Sequence, residues 1–227
     1  MENSCQKNLE RLLRGEATTF LDSACARSIQ AVLKKRNFVY QAYSLFPDCE
    51  KVIFYQNHPP RLVFYKIDAP LTHQAVLGTL FAHQINPDMY SDIIVEEDAV
   101  YFAILEHLKP YFENFFHEVG KMPIELKETN VSIFQKLHYR YRDLTIIVPS
   151  CRVDVVVSRI CGLSRTKVLQ KIAAKEILID CQTVTTGSQI LKAPAILSIR
   201  SYGKYRFEGI LKQTKKQQYV VLIKQYQ

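Results

Sequence analysis

The chain has 227 residues, 48% of them apolar and 23% charged, with a formal net charge of +8. This is the composition of an ordinary globular protein with room for roughly one to three cores, and it excludes collagen-like or low-complexity chains. No run approaches the roughly 18 apolar residues that cross a bilayer.

The opening "MENSCQKNLERLLRGE" lacks the apolar stretch of a secretory leader. A soluble cytoplasmic protein is expected, bacterial or else in an organellar stroma or matrix, with no membrane partner. Cys5, Cys25, Cys49, Cys151, Cys161 and Cys181 form no C-x-x-C pair, so no metal is expected. Without a leader they are expected to stay reduced, as small hydrophobes.

Charge is uneven. From Pro149 onward there are 14 Lys and Arg against 4 Asp and Glu, whereas residues 1–148 hold 16 against 18. An excess confined to the last third is the footprint of a nucleic-acid-binding unit joined to a near-neutral one.

In chain order, "NLERLLR" and "FLDSACARSIQAVLKKR" carry helical spacing. "KVIFYQNHPPRLVFYKID" reads as two strands joined by a turn at Asn57–Pro60. A strand ("RLVFYKI"), a helix ("LTHQAVLGTLFAHQI"), two strands ("SDIIVEE", "AVYFAIL"), a helix closed by Gly120 with Pro110 near its start, and a strand ("MPIELKE") then follow. That β-α-β-β-α-β order is ferredoxin-like, the fold of RNA-recognition modules. Of its strand aromatics Phe64, Tyr65, Tyr101 and Phe102, alternation sends only one of each adjacent pair to the open face. Without a basic excess there, core packing or protein contact is expected of them, in preference to a second RNA surface.

In the basic third, "RVDVVVSRIC" and "SRTKVLQKIAAK" read as helices parted by Gly162, followed by four strand-like runs. The expected class is therefore α+β. It comprises a helical region plus one strand (1–59), an RRM-like domain (60–148) and a basic α-plus-β domain extended by a hairpin (149–227).

The candidate interface lies in this third. Ser164 is placed to cap a helix whose free N–H groups, beside Arg165 and Thr166, suit phosphate. Lys167, Lys171 and Lys175, four apart, fall on one arc of that helix. Arg152 and Arg159 precede it. Arg200, Lys204 and Arg206 follow, interleaved with Tyr202 and Tyr205.

"RVDVVVSRICGLSRTKVLQKIAAKEILID" resembles the S-four-type (αL) RNA-binding domain, named after a small-subunit ribosomal protein, in its arginine–aspartate start, L-S-R-T helix opening and basic helix. The resemblance puts RNA contacts on Arg152, Ser164, Arg165, Thr166, Lys167, Lys171 and Lys175. The chain departs from the pattern at Lys175 (usually Gly), at Asp180 (usually Asn) and at Ala193-Pro194-Ala195 (usually a Gly-Asp turn). "LGTLFAHQINPDMYSDIIVEEDAVYFAILEHLKPYFENFFHEVG" resembles the middle domain of the YlmH family, through Leu77-Gly78, Asp92-Ile93 and Val119-Gly120. "RNFVYQAYSL" stands where that family has a glycine-rich loop.

The YlmH resemblance, with its RqcP-type relatives, implies a ribosome-associated protein that binds rRNA or tRNA on stalled large subunits. No catalytic residue, cofactor or oligomer is expected. The competing class is an RNA-modifying enzyme, or its targeting subunit, of the pseudouridine-synthase kind. There the basic domain usually comes first, and here Asp154 reads as structural. Basic neighbours of the kind around Cys161 can lower a thiol pKa, but no paired base is identifiable, so no catalysis is expected there. A third class, protein docking by the near-neutral part, would lack a steep salt dependence.

Overall fold

The protein is described from a computed structural model over residues 2–227, and it divides into two units between Tyr139 and Arg140.

In the first unit, helices α1 (Glu2–Leu13) and α2 (Ser23–Lys35) pack through Leu12, Cys25, Ile29 and Leu33. Asp22 caps α2, its carboxylate accepting the Cys25 N–H at 2.7 Å. Cys5 and Cys25 lie on the packed faces and form a disulfide, contrary to the expectation of six reduced cysteines. Their separation of 20 residues carries no signal, because the contact comes from helix packing.

Strand β1 (Gln41–Tyr43) pairs with β2 (Ile53–Tyr55). The expected hairpin across Asn57–Pro60 does not form. Strand β2 serves a different two-stranded sheet, with Ile53 and Phe54 fully buried. The next elements are β3 (Leu62–Ile67), α3 (His73–Ala82), β4 (Ile94–Val95), β5 (Val100–Leu105) and α4 (Lys109–Phe115). A small hairpin of β6 (Glu118–Val119) and β7 (Met122–Pro123) precedes β8 (Lys127–Thr129) and α5 (Val131–Phe134). The sheet order β4-β5-β3-β8, all antiparallel, puts the first and third strands at the centre, as in a ferredoxin-like βαββαβ unit. Helix α4 has Pro110 in its first turn but ends at Phe115. Gly120, at φ 65°, turns the β6–β7 hairpin instead of closing the helix.

The two faces of this sheet do different things. Val63, Tyr65, Ile67, Val100, Phe102 and Ile104 pack under α3 and α4, against Val76, Leu80, Phe112 and Phe116. Phe64, Tyr101, Ala103 and Leu105 point the other way, where Phe134 and, from the N-terminal segment, Phe20, Phe46 and Ile53 cover them. Each buried aromatic or branched side chain there contributes about 1.5–3 kcal/mol. The face on which an RNA-recognition module stacks bases is therefore a core in this protein. Phe64 and Tyr101 both pack on the Phe134 ring, at centroid distances of 5.0 and 6.2 Å. The segment 1–59 thus shares one unit with the sheet and does not part from it at residue 59. Asp92 ties the two together, its Oδ2 accepting the Cys49 thiol and the Glu50 and Lys51 N–H groups at 2.9–3.0 Å.

The second unit opens with β9 (Tyr141–Val148), which pairs along its length with β14 (Tyr219–Tyr226). The sequence alone places 141–148 in the middle domain, but its pairing partners lie near the far end of the chain. Between them come α6 (Val153–Cys161), α7 (Arg165–Ala173), β10 (Ile177–Ile179), β11 (Gln182–Thr183), β12 (Ala195–Ile199) and β13 (Gly203–Gln213). The sheet order is β11-β10-β12-β13-β14-β9. Val153, Val156 and Val157 of α6 and Val168 and Ile172 of α7 pack on Leu197, Tyr205, Phe207, Val221 and Ile223.

Helix α7 stops at Ala173, so Lys175 is not the third lysine of a helical arc. It sits at φ 59°, while its N–H reaches the Ile172 carbonyl and the Glu176 N–H reaches that of Lys171, both at 2.9 Å. This is a Schellman stop with lysine in the left-handed position that glycine normally takes. The left-handed turn is made with lysine at the expense of strain. Lys175→Gly is expected to stabilise the unit by about 0.5–1 kcal/mol, a few degrees in Tm, because relieved left-handed strain outweighs glycine's extra chain entropy. Thermal unfolding checks it.

Candidate nucleic-acid interface

The two helices of the second unit begin in different ways, and the difference sets up the surface. Helix α6 starts at Arg152 without a capping side chain. Its first free N–H groups are taken by the loop between β11 and β12. Val153 N–H donates to the Gln189 carbonyl (2.9 Å) and Asp154 N–H to that of Gly187 (3.1 Å). The Asp154 side chain is thereby left for other partners. Helix α7 starts after Gly162, which ends α6 at φ 64°. Ser164 caps it, accepting the Lys167 N–H at 3.3 Å, and Ser164, Arg165, Thr166 and Lys167 are all exposed. The dipole end of α7 is open to anions and that of α6 is closed by the loop.

Between these starts lies Asp154, its side chain 2% exposed. Arg152 grips it in fork geometry, Nε to Oδ1 and Nη2 to Oδ2, each at 3.0 Å. Arg165 donates from Nη2 at 2.6 Å and from Nε at 3.2 Å to Oδ2. Burial alone would raise the Asp154 pKa, but the hydrogen bonds and charges of the two guanidiniums outweigh it and hold the carboxyl below its ordinary value. The arginine side chains are 38% and 58% exposed, so they face solvent from a buried anchor. Asp154 is structural, as expected from the sequence.

The remaining predicted residues divide. Arg159 is exposed in the last turn of α6 and Arg200 is exposed beyond β12. Lys171 is more committed. It bonds Glu176 at 2.8 Å and lies 5.3 Å from the Tyr202 ring centroid, and its side chain is 21% exposed. The bond to Lys171 also holds the Glu176 carboxyl below its ordinary value. Lys204 and Arg206 lie elsewhere. They alternate along β13 with Tyr205 and Phe207, which face the helices, so they occupy the opposite sheet face. There Lys204 sits 5.2 Å from the Tyr226 ring centroid, and Arg206 bonds Glu208 at 3.2 Å. The structure thus gathers Arg152, Arg159, Ser164, Arg165, Thr166, Lys167 and Lys171 around the two helices and leaves Lys204 and Arg206 behind the sheet.

Cys161 does not behave as its basic neighbours suggest. Burial pushes its thiol up to about 11 against the opposing pull of Lys171, which favours the protonated thiol near neutral pH. The sequence reading missed Gly187. A Cβ there would lie 2.9 Å from Asp154 Cβ and 2.7 Å from Leu169 Cδ2. Its one visible signal is a glycine inside "TTGS".

Residues 63–133 match the family model described as "Putative RNA-binding domain in YlmH". Among curated proteins, the chain is similar to the "Ribosome-associated protein quality control protein P2" of Bacillus subtilis (strain 168). The two are 24% identical over 151 residues, 66% of this chain and 58% of that protein. The match therefore spans less than two thirds of that relative's length. Among solved structures, the chain is similar to the "Cell division protein ylmH from Streptococcus pneumoniae". That match has 16% identity and a TM-score of 0.49, over 60% of this chain and 92% of the other. The family that the sequence resembles is thus the one whose model residues 63–133 match.

Proposed function

We propose that this protein is a non-enzymatic RNA-binding factor that holds structured rRNA or tRNA on the large ribosomal subunit, in the quality control of stalled ribosomes. The observation that carries this reading is the convergence of two anchored arginines, an exposed helix start and Lys167 on one side of the second unit. That unit, residues 140–227, holds 16 Lys and Arg against 5 Asp and Glu. Arginine forks and a free helix N-terminus are the groups that take phosphate oxygens. The name of the Bacillus subtilis relative supplies the ribosome and the quality-control context. The site is electrostatic, it reads backbone and shape, and it works in the cytoplasm as a monomer on RNA.

Sedimentation tests it. Tagged protein from a lysate is expected to co-migrate with the large subunit on a sucrose gradient at low salt. It is expected to return to the top as salt rises, since phosphate contacts are lost steeply with ionic strength. Protein that stays at the top at low salt would overturn the ribosome assignment.

A further inference from the structure

We infer that Asp154 is a positioning residue for RNA binding: buried and negatively charged, it strengthens the capture of RNA by fixing Arg152 and Arg165 as one rigid phosphate clamp, and Gly187 provides the space that lets it do so. The inference rests on the RNA-binding reading above and adds to it the residue on which the two arginines depend.

The geometry supplies the argument. Both carboxylate oxygens are used, and four guanidinium N–H···O contacts of 2.6–3.2 Å converge on them. Each arginine donates from Nε and Nη2, which leaves its Nη1 edge and the second Nη2 hydrogen for a ligand. Two such edges, anchored to one carboxylate, present a paired set of donors that matches a phosphodiester. A free arginine gives up considerable side-chain entropy when it grips a phosphate, and anchoring in the unliganded protein removes part of that loss.

Asp154 is itself fixed from three sides. Its own N–H donates to the Gly187 carbonyl. Helix α6 holds its backbone in the first turn. The missing side chain at Gly187 lets the 186–190 loop close over its Cβ. A purely electrostatic view predicts the opposite role, because a carboxylate within the basic surface repels RNA and its removal should tighten binding.

That opposition makes the test decisive. Anisotropy titrations of the full chain use a fluorescein-labelled RNA stem-loop at two salt concentrations. Asp154→Asn, which adds one unit of net positive charge, is expected to bind about 5- to 20-fold more weakly than wild type, as for the loss of charge-assisted hydrogen bonds. Gly187→Ala, which changes no charge, is expected to weaken binding in the same direction. In the wild-type protein alone, the arginine Nε–H resonances of Arg152 and Arg165 are expected to be resolved and protected from water exchange, and to be lost in Asp154→Asn. Binding by Asp154→Asn that equals or exceeds wild type overturns the inference while leaving RNA binding intact. Fast-exchanging Nε–H signals in wild type overturn it without any variant. A wild-type protein that fails to bind the stem-loop overturns the RNA-binding reading and this inference with it.

Discussion

Replacing Arg152 and Arg165 together by alanine is expected to destabilise the second unit by about 3–5 kcal/mol at neutral pH, more than Asp154→Asn does. The asymmetry follows from burial. Asp154 is nearly inaccessible while both arginines reach solvent. Removing the carboxylate leaves two cations that water can serve. Removing the cations strands a buried anion whose carboxylate oxygens they hold. Water entering from the vacated side places the expected value toward the lower end of that range.

The pH dependence should change sign between wild type and the double variant. In the native protein the Asp154 carboxyl is held below its ordinary value. It therefore contributes stability that is fully present above the unfolded pKa of about 3.9 and is lost as pH falls through the folded pKa. In the double variant burial acts unopposed and raises the folded pKa above the unfolded one. The folded state then binds the proton more tightly, so stability rises as pH is lowered from neutrality toward that pKa. Urea unfolding between about pH 7 and pH 2 measures both slopes, that of the wild type at the acid end. Adding Asp154→Asn to the double variant should recover much of the loss at neutral pH. Parallel slopes for wild type and variant would show that Asp154 is not held by this pair.

The parts of this arrangement legible in the sequence are the local ones. Ser164, Gly162 and the apolar spacing of Val168 and Ile172 define α7, because capping and helical periodicity act within a few residues. The β-α-β-β-α-β order could be followed for the same reason. Pairings between distant segments could not. Strand β9 finds its partner at the chain's other end, and Phe134 closes the sheet face of Phe64 and Tyr101 from beyond β8. Lys175 reads as a helical position until the left-handed turn at the end of α7 is known. Lys204 and Arg206 count toward one basic cluster by composition, yet strand alternation turns them to the opposite face. Gly187 is the extreme case, since its meaning lies in a contact with a residue 33 positions earlier in the chain.

The division of the basic residues dictates which charge reversal should abolish RNA binding without unfolding the protein. Lys171 is a poor choice, because Lys171→Glu would set a second carboxylate beside Glu176 and remove the cation that lies over Tyr202. Arg165 is a poor choice for the same kind of reason, being bound to Asp154. Arg159 and Lys167 are exposed, one in the last turn of α6 and one in the first turn of α7. Arg159→Glu/Lys167→Glu is therefore expected to change stability by no more than about 0.5 kcal/mol per site, while reversing two charges where phosphate would lie. RNA affinity near 0.1 M salt should fall about 100-fold, and the log–log slope of affinity against salt should shrink by about 2, close to one for each lost phosphate contact. Lys215→Glu/Lys216→Glu makes the same change of net charge in the exposed turn between β13 and β14. If the helix side is the interface, that variant should lose far less affinity and keep the wild-type slope. Equal losses from the two pairs would mean that RNA responds to the unit's total charge, and the surface around Asp154 would then have no special claim on it.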